Sequence, residues 1–265
     1  MKIGFIGAGN MTQAIIKGIL SSKITTAENI YASNRSEPVL NKLEKEYGIN
    51  VDTNNNNVAK ICNILFLAVK PQFYVSVIKD ISNFINNETV IVTIAPGHTL
   101  ESLEKNFSKK VKIIRTMPNT PAMVCEGMTA VCSNSLVTDN ELKYVCSLLN
   151  SFGKVEIIPE YLMDAVVGVS GSSPAYVYMF IEALADGAVI EGMPRALAYQ
   201  FAAQAVLGSA KMVLETGLHP GLLKDMVCSP GGTTIEAVRI LESKGMRSSI
   251  IEAVTGCIAK AKKLK

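Results

Sequence analysis

The stretch Lys2-Ile3-Gly4-Phe5-Ile6-Gly7-Ala8-Gly9-Asn10-Met11-Thr12 decides the fold. A short β-rich run over residues 2–6 meets Gly7-x-Gly9-x-x-Thr12, and helical spacing follows over 11–20. Glycines after a strand permit a tight turn and let a pyrophosphate approach the backbone. The N–H groups that open the next helix then face that anion with the positive end of the helix dipole. Thr12 stands where a glycine or alanine is usual; it would push helix and strand slightly apart or tuck its methyl into the gap. An ordinary glycine-rich strand–helix turn reads the same way locally. The N-terminal placement, with a second strand about 20 residues on, favours a dinucleotide site made by Gly7, Ala8, Gly9 and Thr12.

Outward from this turn, strand and helix signals alternate. Strands are predicted at 30–32, 61–69, 89–94, 111–115, 128–132 and 155–158, and helices at 38–47, 73–84, 100–107 and 139–151. The continuous apolar run 61–69 suits a central parallel strand buried on both faces. The pattern is that of a doubly wound α/β domain of Rossmann type over residues 1–159.

From residue 162 no strand signal remains. Alanine-rich helical patterns follow at 174–191, 194–215, 221–227, 233–244 and 247–263, with Pro194 and Pro220 at starts and Gly192, Gly217 and Gly245 at stops. The 194–215 helix is apolar on more than one side (Leu197, Phe201, Val206 and Met212 among others), so it must be buried on more than one side. In a domain of about 100 residues a subunit interface provides that burial. Residues 160–265 are thus expected to form an all-helical dimerisation domain.

Composition excludes several classes. The 265 residues are 48% hydrophobic and 18% charged, with a net charge of +3, which gives no argument for nucleic acid; the terminal lysines read as a solvated helix end. No apolar run approaches the ~20 residues of a membrane span, and Met1-Lys2 leads directly into a strand, so a cytoplasmic protein is expected. Six cysteines show neither CxxC pairing nor zinc spacing; free thiols and no metal site are the simplest reading.

The end of the second strand separates two cofactors. NAD-binding chains place a carboxylate there for the ribose 2′-hydroxyl. This chain has Ser33-Asn34-Arg35-Ser36 and no carboxylate before Glu37, a set that suits a 2′-phosphate. NADP(H) is favoured over NAD(H); the alternative for Arg35 is a solvated loop cation. Three further loops follow strand ends and should line the same groove: Ala68-Val69-Lys70-Pro71, Ala95-Pro96-Gly97-His98, and Arg115 to Pro121. A second glycine-rich turn, Ser229-Pro230-Gly231-Gly232-Thr233-Thr234, opens another helix far along the chain. It reads as a carboxylate site, and two anion sites imply two anionic ligands.

At this point the sequence resembles the pyrroline-5-carboxylate reductase family. The residues that carry the resemblance are Gly4 to Met11, Phe66-Leu67-Ala68-Val69-Lys70-Pro71, Met117-Pro118-Asn119-Thr120-Pro121, Gly168 to Tyr176, Glu182 to Gly187, and His219-Pro220-Gly221 through Thr234, in order and without a large insertion. The departures are Thr12, Pro96 and the asparagine run 54–57. The resemblance implies NAD(P)H-dependent reduction of L-1-pyrroline-5-carboxylate to L-proline. It also implies a helical domain that interlocks in a homodimer, with rings of dimers in some members. By resemblance, Asn10, Met11, Ser33, Asn55, Ala68 and Lys70 touch the cofactor, Asn119 lies near the nicotinamide, and Glu160 contacts the substrate.

Reduction of a cyclic imine needs a hydride donor, an oriented C=N bond and an anchor for the carboxylate. The N–H groups of Gly231, Gly232 and Thr233, with the Ser229 hydroxyl nearby, are assigned to the carboxylate, and the Thr234 hydroxyl to the ring nitrogen. The alternative for Thr234 is a plain first-turn helix residue. No strong general acid is evident: His98 and His219 sit in turn signals, and the proton's source stays open. A β-hydroxyacid reductase would want a lysine on the inter-domain helix, and 165–191 has none. A non-catalytic NADP sensor would give no reason for the second anion site.

Overall fold

The computed structural model describes residues 1–107 and 109–263. By its contacts the chain divides into two compact units, Met1–Gly171 together with the segment that begins at Cys257, and Ser172–Gly256.

The first unit follows the order β1 Ile3–Ile6, α1 Asn10–Ser21, β2 Ile30–Ser33, α2 Glu37–Tyr47, β3 Asn50–Asp52, α3 Asn55–Ile61, β4 Ile64–Leu67, α4 Tyr74–Ile81, β5 Val90–Thr93, α5 Leu100–Asn106 and β6 Lys112–Met117. It continues with β7 Gly127–Ser133, α6 Asp139–Asn150, β8 Gly153–Ile157 and α7 Met163–Val166, after which Val167–Gly171 is π-helical. The strands form one sheet in the order β3-β2-β1-β4-β5-β6-β7-β8. Its first six positions are parallel and carry the doubly wound order, with the reversal at β1, between β2 and β4.

Three features differ from the sequence-based expectation. β3 and α3 lie where only an asparagine-rich patch was evident. There the Asn54 side chain caps α3 by accepting the Asn56 N–H at 2.9 Å, and Asp52 accepts from the Asn54 N–H (2.7 Å) and the Asn57 amide (2.8 Å). The apolar run 61–69 is a helix end followed by a strand: Ile61 closes α3, Cys62 caps it, and β4 begins at Ile64. β4 is buried throughout, whereas Ile61 is exposed at the end of α3; both are apolar, so hydrophobicity alone cannot mark the boundary. Finally, β7 is antiparallel to β6, because the short connection between them holds no crossover helix.

The core lies on both faces of the sheet. Phe5 and Phe66 stack on one face (ring centroids 4.8 Å apart) together with Ile15, Ile19 and Leu148, while Leu65, Leu67, Tyr74, Ile78 and Ile81 fill the other. Each such side chain contributes about 1.5–3 kcal/mol by leaving water, which fixes the strand ends where ligands bind.

The second unit is helical: α8 Ser173–Ile190, α9 Arg195–Thr216, α10 Pro220–Val227, α11 Thr233–Ser243 and α12 Met246–Lys262, the last running on past Gly256. Gly217, at φ +65°, ends α9 in the left-handed region, and the His219 imidazole caps α10 by accepting the Gly221 N–H at 3.0 Å. Among its described residues, the only buried hydrophobics are Ala185, Ala198 and Ala202, whereas Phe201 is 62% and Leu214 83% exposed. Helices that bury only alanines and display large apolar side chains present a surface made for association. No helix of the described chain is long and apolar enough to cross a membrane.

Candidate active site

The turn after β1 is fixed from three sides. Gly7 adopts φ +103°, and a Cβ there would sit 2.5 Å from the Ala68 carbonyl oxygen, so no side chain fits. Its N–H donates to the Ser33 carbonyl at 2.8 Å. Thr12 is buried, and its hydroxyl donates to the Gly7 carbonyl at 2.8 Å. The threonine thus staples the turn instead of forcing helix and strand apart. Gly9 is the opposite case: a Cβ there would meet no atom within 4 Å, and no side chain caps α1 behind it. The free amides at the start of α1 therefore face open space.

That space is a cleft of about 560 Å³ at the carboxyl ends of the strands. Gly7, Ala8 and Gly9 line it from the first turn, Ser33, Asn34 and Arg35 from the end of β2, Asn55 from α3, and Ala68, Val69 and Lys70 from the end of β4. The Ser33 hydroxyl donates to the Asn55 side-chain oxygen at 2.8 Å, which links the β2 end to α3. The remaining expected residues do not line it. Asn10 and Met11 sit in the first turn of α1, Thr12 lies beneath the cleft, and Asn119 is elsewhere. Both amide ends of Asn119 serve backbone: it donates to the Ser170 carbonyl (3.0 Å) and accepts the Met128 N–H (2.8 Å).

Sequence reasoning missed the far wall, formed by Phe73, Ser76, Val77 and Asp80. The available signal was their place just after the Lys70-Pro71 strand end, at helical spacing. The Arg35 guanidinium lies over the Phe73 ring, 5.1 Å from its centroid. Next to Phe73, Tyr74 is buried; its hydroxyl donates to the Leu67 carbonyl (2.7 Å), and its ring stacks on His98 at 4.8 Å. Burial pushes the Tyr74 phenol well above its ordinary pKa, so it stays neutral. His98 donates to the Pro71 carbonyl at 3.2 Å, which pins the loop after β5 to the loop after β4.

An ion pair between a buried arginine and a half-buried glutamate links these loops to the chain after β8. Arg115 is 4% exposed and donates to Glu160 Oε1 at 2.7 Å; the same oxygen accepts the Leu100 N–H that opens α5, also at 2.7 Å. Glu160 thus binds the first unit together through one oxygen. Cys132 lies nearby, and burial, with Glu160 adding to it, lifts its thiol to about 11; burial lifts Cys62 to about 12. Neither thiol is a nucleophile at neutral pH.

In the second unit, Ser229-Pro230-Gly231-Gly232 links α10 to α11. Gly231 is at φ +68°. The Gly232 N–H donates to the Ser229 carbonyl at 3.0 Å, so of the three amides expected to hold a carboxylate this one is engaged in the turn. The Ser229 hydroxyl folds over Gly232, where a Cβ would come within 2.3 Å of its oxygen. No side chain caps α11, and the N–H groups of Gly231 and Thr233 make no hydrogen bond among the described residues. Thr234 stands half-buried in the first turn.

The family described as pyrroline-5-carboxylate reductase dimerisation matches residues 160–264, and that described as NADP oxidoreductase, coenzyme F420-dependent, matches residues 2–97. Over 263 residues the chain is 53% identical to the pyrroline-5-carboxylate reductase of Escherichia coli (strain K12), covering 99% of this chain and 98% of that one. It is 44% identical to the pyrroline-5-carboxylate reductase of Methanosarcina acetivorans, with 99% and 97% covered. It is similar to the crystal structure of Plasmodium falciparum pyrroline carboxylate reductase with NADP bound, at a TM-score of 0.91 and 34% identity, with 100% and 98% covered.

Proposed function

The chain belongs to the pyrroline-5-carboxylate reductase family, and from that membership we propose that it reduces L-1-pyrroline-5-carboxylate to L-proline with NAD(P)H, the last step of proline biosynthesis. The observation that carries the reading is a pair of uncapped helix N-termini reached through glycine turns, one opening on a dinucleotide-sized cleft and the other on α11. When bound, the nicotinamide cofactor supplies the hydride. The cleft fits that cofactor, since Gly9 leaves room for a phosphate at the α1 N-terminus. Ser33, Asn34 and Arg35 take the 2′-phosphate, which makes NADPH the preferred reductant; the open, carboxylate-free end of β2 supports this.

The Gly231 and Thr233 amides hold the substrate carboxylate, with the Ser229 hydroxyl beside them, and Gly232 keeps the turn closed. The Thr234 hydroxyl accepts a hydrogen bond from the protonated ring nitrogen and orients the C=N bond. Glu160 keeps one oxygen on Arg115 and on the Leu100 N–H, and its assignment to the substrate rests on the family resemblance. Asn119 serves the cofactor indirectly, by fixing the loop after β6. Residues 1–159 carry the cofactor, and 160–265 carry the substrate turn and the dimer contact; the start of the dimerisation family match at residue 160 supports that boundary. The exposed apolar helices and the dimerisation-family match support a homodimer, and rings of dimers rest on the family resemblance. Six free cysteines support a reducing, cytoplasmic setting.

The deciding assay is NADPH oxidation in the presence of L-1-pyrroline-5-carboxylate, with NADH in parallel. Turnover with formation of L-proline is expected, at a lower KM for NADPH than for NADH. Tight NADPH binding without turnover would overturn the reading in favour of a sensor.

A further inference from the structure

One contact joins the two rims of the cofactor cleft. Arg35 follows β2 and Phe73 follows β4, the two strands that flank β1, and the guanidinium stacks on the ring 5.1 Å from its centroid. Two adjacent aromatics have opposite fates here. Tyr74 is fully buried and serves the core, while Phe73 is 37% exposed and turns to the cleft, so the core gives no reason for Phe73. Arg35 pairs with no carboxylate among the described residues, although Asp80 lines the same cleft.

This arrangement has a consequence for specificity. An ion pair would hold Arg35 still, but it would occupy the guanidinium's donors and offset its charge. Stacking restrains the same side chain through its face and leaves the N–H edge and the charge available. A long, free side chain would lose more conformational entropy when it met a ligand.

We propose that Phe73 is a cofactor-discriminating positioning residue, which holds Arg35 over the cleft so that its N–H edge meets the 2′-phosphate that distinguishes NADPH from NADH. This rests on the reading of Arg35 as the 2′-phosphate ligand. It adds a second residue, on a different strand, to the selection.

The test is titration calorimetry of NADP⁺ and of NAD⁺ into the full-length wild type, Phe73→Ala, Phe73→Tyr, Arg35→Ala and the double alanine variant, each checked for an unchanged melting temperature. An exposed cation–π contact of ~0.5–1 kcal/mol corresponds to a roughly 2–5-fold weaker NADP⁺ Kd in Phe73→Ala. NAD⁺ binding should be unchanged, Phe73→Tyr should restore NADP⁺ binding, and Phe73→Ala should have no further effect once Arg35 is gone. Equal losses for NADP⁺ and NAD⁺ would make Phe73 an adenine platform and overturn the proposal, as would no loss for either. If Arg35→Ala alone leaves NADP⁺ binding intact, the 2′-phosphate reading itself fails, whatever Phe73 does.

Discussion

The turn at Gly7-Ala8-Gly9 and the turn at Gly231-Gly232 deliver the same device, a helix N-terminus with no side-chain cap, into different surroundings. The first is built into a sheet. Ala68 blocks any side chain at Gly7, Thr12 ties the turn shut from below, and the strands around it are buried. The second is a turn on a helical unit that buries only three alanines, and nothing within 4 Å crowds Gly231. The first turn is therefore held rigid by its own core, while the second sits on a helical unit whose large apolar side chains are exposed. The difference separates two kinds of glycine: at position 7 both the backbone angle and the crowding demand it, and at 231 the left-handed turn alone.

Substitution can break this contrast. Gly7→Ala should have the largest effect, about 3 kcal/mol or more of lost stability, because the left-handed backbone and the Ala68 carbonyl cannot both be accommodated. Denaturant unfolding together with NADP⁺ titration would register it, and a normal protein would show that the turn is looser than described. Glu160→Ala should come next, at about 3 kcal/mol, since it leaves the buried Arg115 guanidinium unpaired; Glu160→Gln should cost less. Thr12→Val removes the donor to the buried Gly7 carbonyl and should cost about 1–3 kcal/mol, with a weaker NADP⁺ Kd as its second symptom. Gly231→Ala should have the smallest effect on stability, about 1–2 kcal/mol of backbone strain without a clash, and should raise the KM for pyrroline-5-carboxylate while NADP⁺ binding stays put. If it instead weakened NADP⁺ binding, the two turns would not serve separate ligands.

The sequence made both turns visible because glycines, prolines and helix starts are local signals. Most strands were legible through their short apolar runs, and the long helices through alanine-rich patterns bounded by prolines and glycines. What stayed hidden depends on distant partners or on short elements. β3 is a three-residue edge strand whose asparagines and aspartate cap the next helix, so its composition reads as a loop. Arg115 and Glu160 lie 45 residues apart, and only β6 and the chain after β8 bring them together. Phe73 looked like one more apolar helix residue beside Tyr74, and only the fold separates the one that faces the core from the one that faces the cleft. The Gly232 amide looked free until the turn gave it the Ser229 carbonyl.

The central claim is that the α11 turn holds the substrate and that Thr234 orients its ring nitrogen. The most direct test compares kcat/KM for L-1-pyrroline-5-carboxylate, at saturating NADPH, in wild type and Thr234→Ala. One lost hydrogen bond to a charged group, ~1.5–3 kcal/mol, should lower kcat/KM by roughly 10–100-fold, with NADP⁺ affinity and melting temperature unchanged. An unchanged kcat/KM would contradict the claim and remove Thr234 from the reaction.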